Sequence, residues 1–354
     1  MRIVVNDIAA NEGGALTVVR DFYNYIVESD DDNEWIFLLG ELILEERDTI
    51  RIITLPQIKK SRIKKLFFDY LLGKKFIEKL NPDCVLSLQN IITFGLRCPQ
   101  FVFVHQAIPF QKIKKFSFFR SEERKLAIYQ YLIGTVIKHS IKKADVVFVQ
   151  TDWMKQAICE SCDINESKVI KVSPNFKPIT EMNCQEIFNR NNFFYPTANF
   201  IYKNNECLYL ACKLLDTDAV DYKLKMTMKK ENLIESEKID FVGRLKYEDV
   251  IKEYRASTLI FPSYIETFGY PLIEARAVGA IILASNTPFA HEVLEGYENA
   301  YYFDPFKPDE LATLMKQVIK GDIQKEKCTF ECNERGINTW SIIMERIKDC
   351  ESCS

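Results

Sequence analysis

Residues 262–274 read PSYIETFGYPLIE, which sets Glu266 and Glu274 eight positions apart. A Thr-Phe-Gly step and Pro271 lie between the two carboxylates, and upstream LIFPS has the pattern of a buried strand end. Proline suits the first turn of a helix, because the N–H it lacks is unpaired there anyway. One acid is therefore expected on a strand-to-helix loop and the other in about the first turn of a helix. Each alone has an ordinary structural account. An acid near a helix start gains about 0.3–1 kcal/mol from the macrodipole, and a loop carboxylate needs no special reason. The pair means more only if the fold places both where a ligand binds.

The surrounding pattern is that of a doubly wound α/β chain. In the first half, buried strands are expected at 2–6, 35–40, 51–55, 84–89, 101–106 and 145–151, with helix-period apolar residues at 16–28, 62–80 and 120–142. VIKVSPNFKP (169–178), with its two prolines, reads as a boundary. The alternation then restarts, with strands expected at 193–198, 222–228, 239–243, 259–263, 280–285 and 300–305. This implies a domain over 1–176, a second over 177–335, and an amphipathic tail over 336–354, with a cleft between the two sheets. In open α/β sheets ligands bind outside the carboxyl ends of the strands. Glu266 and Glu274 both fall at such an end.

Composition bounds the rest. At 354 residues, 47% apolar and 27% charged, the chain has the make-up of a soluble globular protein of about two domains. No apolar run approaches the ~18 residues a membrane span needs, and the start MRIVVNDIAANEGG lacks a basic n-region. A cytoplasmic location is expected. Eleven cysteines, an odd and scattered number, do not form a disulfide framework. The two CESC copies lie far apart, without histidines to complete a zinc site. The DDD run at 30–32 reads as an exposed turn between a helix and a strand. Net charge is only −3, yet residues 51–150 carry 19 Lys+Arg against 6 Asp+Glu. Such a basic region implies an anionic partner or surface. Nucleic acid is disfavoured by the pI of about 5.9 and by the lack of any nucleic-acid motif.

On these residues the chain resembles the GT-B glycosyltransferases, specifically the retaining family-4 group that uses nucleotide-diphospho-sugars. The resemblance covers nearly the whole chain and is strongest from Asp240 to Pro305. FVGRLKYEDVIKEYRASTLIFPSYIETFGYPLIEARAVGAIILASN is similar to the family's donor-binding core, and YYFDPFKPDELA to the segment after it. Glu266 and Glu274 match the two glutamates of its E-x7-E motif.

The resemblance implies two Rossmann-like domains facing across a cleft, with the C-terminal helix packing back on the N-terminal, acceptor-binding one. It implies that Glu274 holds the donor ribose and Glu266 the transferred sugar. The backbone at Thr267, Phe268 and Gly269 would receive phosphate oxygens, as helix N-termini do. Gly13 and Gly14, in NEGGALTVVRDF, would face the diphosphate from the first domain. His105, in FVFVHQAIPF, would lie near the reacting sugar, and Lys203 would neutralise the leaving diphosphate. Many relatives add an arginine in a Gly-Arg pair after the strand at 193–198. Here the stretch reads Thr197, Ala198, Asn199, and Arg244 is a candidate substitute.

No metal or cofactor is expected beyond the donor. The acceptor implied is a glycan or lipid-linked glycan of surface polysaccharide biosynthesis. The basic-aromatic segments 59–75 and 110–125, with Phe116, Phe118 and Phe119, suit docking on an anionic membrane face, here the inner face of the plasma membrane, and equally suit ordinary helices with solvated cationic faces. A non-catalytic subunit of the same fold and a nucleotide-sugar epimerase are the competing readings. The altered Gly-Arg position favours the first slightly, and the basic-aromatic patch disfavours the second.

Overall fold

A computed structural model describes residues 1–10, 14–29, 32–174, 187–229, 236–326 and 339–351. The chain divides into two compact units, Met1–Asn175 with Gly336–Ser354, and Phe176–Arg335.

The first unit holds seven strands: β1 (Arg2–Asp7), β2 (Glu34–Leu39), β3 (Ile50–Thr54), β4 (Cys84–Ser87), β5 (Gln100–Phe103), β6 (Val146–Val149) and β7 (Val169–Lys171). Their order is β3-β2-β1-β4-β5-β6-β7, and every pair is parallel. A parallel sheet must be covered on both faces, and the pleat sorts its side chains accordingly. Ile3, Val5, Trp35 and Phe37 enter one apolar cluster, whereas Val4, Ile36, Leu38 and Val85 enter another. The helix Gly14–Glu28 covers the first face with Val19, Phe22 and Ile26. The C-terminal helix Thr339–Glu351 joins it there through Trp340, Ile343 and Ile347. Trp340 packs 4.7 Å from the Phe22 ring and donates from Nε1 to Asp21 at 3.1 Å.

Two helical stretches depart from simple periodicity. Arg62–Phe67 and Gly73–Glu78 are joined by a π-helical turn, Phe68–Leu72. Arg124–Ala127 and Gly134–Lys143 are joined by a second, Ile128–Ile133. Phe94 stacks between Tyr70 of the first stretch and His139 of the second, at 4.1 and 5.2 Å. β7 is the other difference: a three-residue strand lies where the prolines suggested only a boundary.

The second unit holds β8 (Asn192–Tyr195), β9 (Lys223–Met226), β10 (Ile239–Phe241), β11 (Thr258–Phe261), β12 (Ile282–Ser285) and β13 (Ala300–Phe303). The order is β10-β9-β8-β11-β12-β13, again all parallel. Both sheets therefore wind the same way, with the order reversing between β1 and β4 and between β8 and β11. At such a reversal the loops leave neighbouring strands in opposite directions and open a crevice at their carboxyl ends.

Among the described residues no helix is long and apolar enough to cross a membrane, and no three His, Cys, Asp or Glu form a metal-sized group. Cys84, Cys98, Cys159, Cys162, Cys207 and Cys212 are in no disulfide. Asp30 and Asp31 of the acidic run lie outside the described residues. Phe116 is 3% exposed and belongs to the interior, so it is not an interfacial residue; Phe118 and Phe119 are exposed at 41% and 94%.

Candidate functional site

β8 and β11 flank the reversal of the second sheet, and the loops after them bring distant residues together. The loop after β8 ends in a short 3-10 turn, Ile201–Lys203, followed by Asn204 in the left-handed region (φ 60°). Asn204 Nδ2 donates to the carbonyls of Pro262, at 3.1 Å, and Pro305, at 2.7 Å. One side chain thus ties the loops that follow β8, β11 and β13.

That tie positions Lys203. Its Nζ lies 2.5 Å from Glu266 Oε1, and the two side chains are only 19% and 18% exposed. The Ser263 hydroxyl donates to the same Oε1 at 2.7 Å. Nζ also sits 5.8 Å from the centre of the Phe261 ring. A part-buried cation and carboxylate strengthen each other here, because little water screens them.

The chain then turns into the helix Tyr270–Ala277 through Gly269, whose φ of 89° is strained for any residue with a Cβ. A Cβ there would also come within 3.3 Å of Leu272 Cδ1. Pro271 occupies the first turn as expected. Glu274 is the fifth residue of this helix, beyond the turn where the macrodipole acts, so the bland account of that acid does not hold. Its Oε2 accepts from Tyr254 Oη at 3.0 Å, and burial raises its pKa to about 7, against which the Tyr254 bond acts. Thr267 and Phe268 are half-buried, and Phe268 meets Tyr270 edge-on at 5.4 Å.

Arg244 is placed differently. It is exposed, follows Gly243 (φ 68°), and leaves the edge strand β10, which β9 separates from β8. Lys203, Glu266, Thr267, Phe268 and Gly269 lie at the β8/β11 reversal, whereas Glu274, in the helix that follows, faces Tyr254 and Tyr247 of the helix Tyr247–Ala256, into which the loop carrying Arg244 leads.

In the first unit, Gly14 opens the helix Gly14–Glu28, and Gly13 lies outside the described residues. His105 follows β5 by two residues. Its backbone N–H donates to Asn90 Oδ1 at 2.8 Å, and its ring meets Phe103 edge-on at 5.7 Å. Burial, and then the Lys65 charge, lower its pKa to about 4, which keeps the imidazole neutral at physiological pH.

Several residues here escape a sequence reading. Ser263 and Tyr254 are ordinary residues until their partners are seen. Asp7, Lys65 and Asp69 form a buried charge group beside His105: burial raises Asp7 to about 8 and Asp69 to about 7, and Lys65 opposes both shifts. The available signal was Asp7 itself, a carboxylate at the carboxyl end of the strand RIVVND, after three apolar residues and Asn6.

The family of glycosyl transferases group 1 matches residues 206–333 of this chain. The O-antigen chain mannosyltransferase RfbU of Salmonella typhimurium is 23% identical over 274 residues, spanning 72% of each protein. Among solved structures, the sucrose-phosphate synthase of Thermosynechococcus elongatus superposes with a TM-score of 0.70 at 14% identity, covering 100% of both chains. HepE of Anabaena, in complex with UDP-glucose, gives 0.66 at 13% identity, covering 99% of this chain and 100% of HepE. These structural likenesses establish a GT-B fold, and the family match supplies the activity class. The chain is a glycosyltransferase. The matched stretch of this glycosyltransferase contains Arg244, Glu266 and Glu274, and it leaves Lys203 and His105 outside.

Proposed function

We propose that this glycosyltransferase moves a sugar from a nucleotide-diphospho-sugar to a glycan or lipid-linked glycan of a surface polysaccharide, with retention of anomeric configuration. The observation that carries the reading is the part-buried Lys203–Glu266 pair at the β8/β11 reversal, in the same loop-and-helix segment as Glu274. The name of RfbU, an O-antigen mannosyltransferase, supports the polysaccharide role, and the UDP-glucose bound to HepE supports the donor class.

In this reading each group has work that its chemistry suits. Glu274 accepts from the ribose diol, and its raised pKa falls when hydroxyl donors favour the ionised form. The Thr267–Gly269 backbone and the helix start receive phosphate oxygens. Lys203 exchanges Glu266 for the diphosphate and stabilises the charge that develops as the sugar leaves. Glu266, released, accepts from hydroxyls of the transferred sugar. His105, neutral, is available as a hydrogen-bond partner in the first unit. The bond from C1 to the diphosphate oxygen breaks, the acceptor oxygen bonds to C1 on the face the diphosphate leaves, and the diphosphate takes the acceptor's proton, which gives retention. Lys203 is then the chief side-chain cation on the phosphates, since Arg244 leaves an edge strand.

A thermal-shift screen of UDP, GDP, ADP and TDP tests the donor claim, because a nucleotide at 100 times its Kd stabilises by about 2.7 kcal/mol. A shift with one base, then an NMR assignment of the product anomer from the matching nucleotide-sugar, would support it. No shift with any of the four would overturn it.

The first unit also carries exposed apolar side chains among cations. Phe119, Leu71, Leu72 and Leu132 are 94%, 60%, 53% and 61% exposed, and Lys115, Arg124 and Lys125 are exposed as well. We infer that this surface docks on an anionic bilayer that presents a lipid-linked acceptor.

A further inference from the structure

The carboxyl ends of β1 and β4 meet at the reversal of the first sheet, and β5 follows beside β4. Four side chains at these ends present buried polar atoms without a partner among the described residues. Asp7 is 1% exposed, and neither of its carboxylate oxygens is hydrogen-bonded. The Ala10 N–H bonds to the Asp7 main-chain carbonyl at 3.1 Å. Burial raises the carboxyl to about 8, although the Lys65 charge and this N–H both act against the shift. Asn6 Oδ1, Gln89 Oε1 and His105 Nδ1 are unpaired in the same way.

The amide nitrogens are already committed, which fixes where the oxygens are left. Asn6 Nδ2 donates to Thr93 Oγ1 at 3.3 Å, and Gln89 Nε2 donates to Asp69 Oδ1 at 3.2 Å. Asp69 reaches Gln89 from the π-helical turn Phe68–Leu72, a distortion that recurs at functional sites. Lys65, one helical turn earlier, is the cation acting on both Asp7 and Asp69.

Buried polar groups are nearly always satisfied, so a concentration of open acceptors calls for donors. A phosphate brings acceptors and a charge that two carboxyl groups oppose. A sugar ring brings adjacent hydroxyls, and a carboxyl with both oxygens open can take such a pair, whose donors favour its ionised form. We propose that Asp7, with Asn6 and Gln89, forms a hydroxyl-binding subsite for the acceptor sugar. This rests on the transfer reaction proposed above and adds the side chains that choose its acceptor. Asp69 is a positioning residue, which holds the Gln89 amide by its nitrogen.

The subsite makes an unusual demand on a variant: losing Asp7 should remove ligand affinity without costing stability. A buried carboxyl whose desolvation outweighs the help of the Lys65 charge strains the fold, whereas one that served the fold would weaken it when lost. The test titrates methyl α-D-mannopyranoside, α-D-glucopyranoside and α-D-galactopyranoside into the full chain, followed by saturation-transfer NMR with thermal melts in parallel. At least one glycoside should bind the wild type, and Asp7→Asn should weaken it at least about 10-fold with an unchanged or higher Tm. Gln89→Met, which removes a second open oxygen, should also weaken it and stands in if Asp7→Asn does not fold. The proposal is overturned if no glycoside binds the wild type, if the variant that folds binds as well as wild type, or if Asp7→Asn folds with a lowered Tm. Nucleotide shifts recorded on the same samples keep the two readings apart. Their absence in the wild type sinks the donor claim, whereas loss of glycoside binding alone does not touch it.

Discussion

Lys203 and Glu266 satisfy each other: Nζ lies 2.5 Å from Oε1, across 63 residues of sequence. A donor that engages both must separate them, trading one charge-assisted contact for a diphosphate on the lysine and sugar hydroxyls on the glutamate. Lys203→Ala should lower kcat by about 10²-fold or more, as loss of a group aimed at transition-state charge does. Donor KM should change much less. Steady-state kinetics decide it, and a variant with wild-type kcat removes Lys203 from the mechanism.

The same pair makes a stability prediction. Removing one partner leaves the other charge part-buried and alone, which is worse than removing both. Lys203→Met should therefore be less stable than the double variant Lys203→Met/Glu266→Gln, and urea unfolding of both will show it. Equal midpoints would mean that the Glu266 charge, left without Lys203, costs the fold nothing.

Glu274 couples stability to pH. Its folded pKa, about 7, lies above the ordinary value of 4.5, so burial favours the protonated form. The stability it contributes is fully present below about pH 4.5 and is lost as pH rises through 7. Glu274→Gln keeps an acceptor for Tyr254 without the charge. It should raise Tm by a few degrees at pH 8, the order expected for about 1 kcal/mol in a chain of this size. At pH 4 it should change Tm little. Under the proposed ribose role, nucleotide affinity should fall about 10-fold or more, because the diol loses its charged acceptor. A pH-independent change in Tm would show that burial does not govern this carboxylate.

How much of this was legible in the sequence depends on the range of the interaction. The twelve strands expected from apolar runs are all present, because a buried parallel strand must be apolar on both faces. β7, only three residues long, was too short to carry such a run and was masked by Pro174 and Pro178. The π-helical turns Phe68–Leu72 and Ile128–Ile133 were invisible, since one extra residue in a turn barely disturbs a 3.6-residue period. Glu266 and Glu274 stood out through local spacing. Their partners Lys203, Ser263 and Tyr254 are set by which strands neighbour one another. Asp7 is legible only as a carboxylate at the end of a strand, because nothing near it in sequence announces Asp69 or Gln89.

The basic-aromatic surface yields the last prediction, and the structure changes which residues test it. Lys114 is held 3.1 Å from Glu123, an acid only 4% exposed, and Arg120 shares that partner at 3.3 Å. Reversing Lys114 would set two carboxylates together and damage the fold, so a loss of binding there would prove nothing. Lys112 is occupied with Glu160 at 2.7 Å. Lys115 and Lys125 are exposed, and Phe119, 94% exposed, is the side chain best placed to enter a headgroup layer. Each cation near an anionic surface contributes roughly 1 kcal/mol. The variant Lys115→Glu/Lys125→Glu/Phe119→Ser should then bind phosphatidylglycerol-containing vesicles at least about 30-fold more weakly than wild type. Its thermal shift with nucleotide should stay the same, since Lys203, Glu266 and Glu274 belong to the other unit. Wild-type binding, followed by co-sedimentation, should be strong at low salt and fall steeply near 0.1 M, where the Debye length is about 10 Å. Vesicles of phosphatidylcholine alone should bind neither protein. Should the wild type ignore anionic vesicles even at low salt, these cations face solvent and the acceptor reaches the enzyme without a membrane.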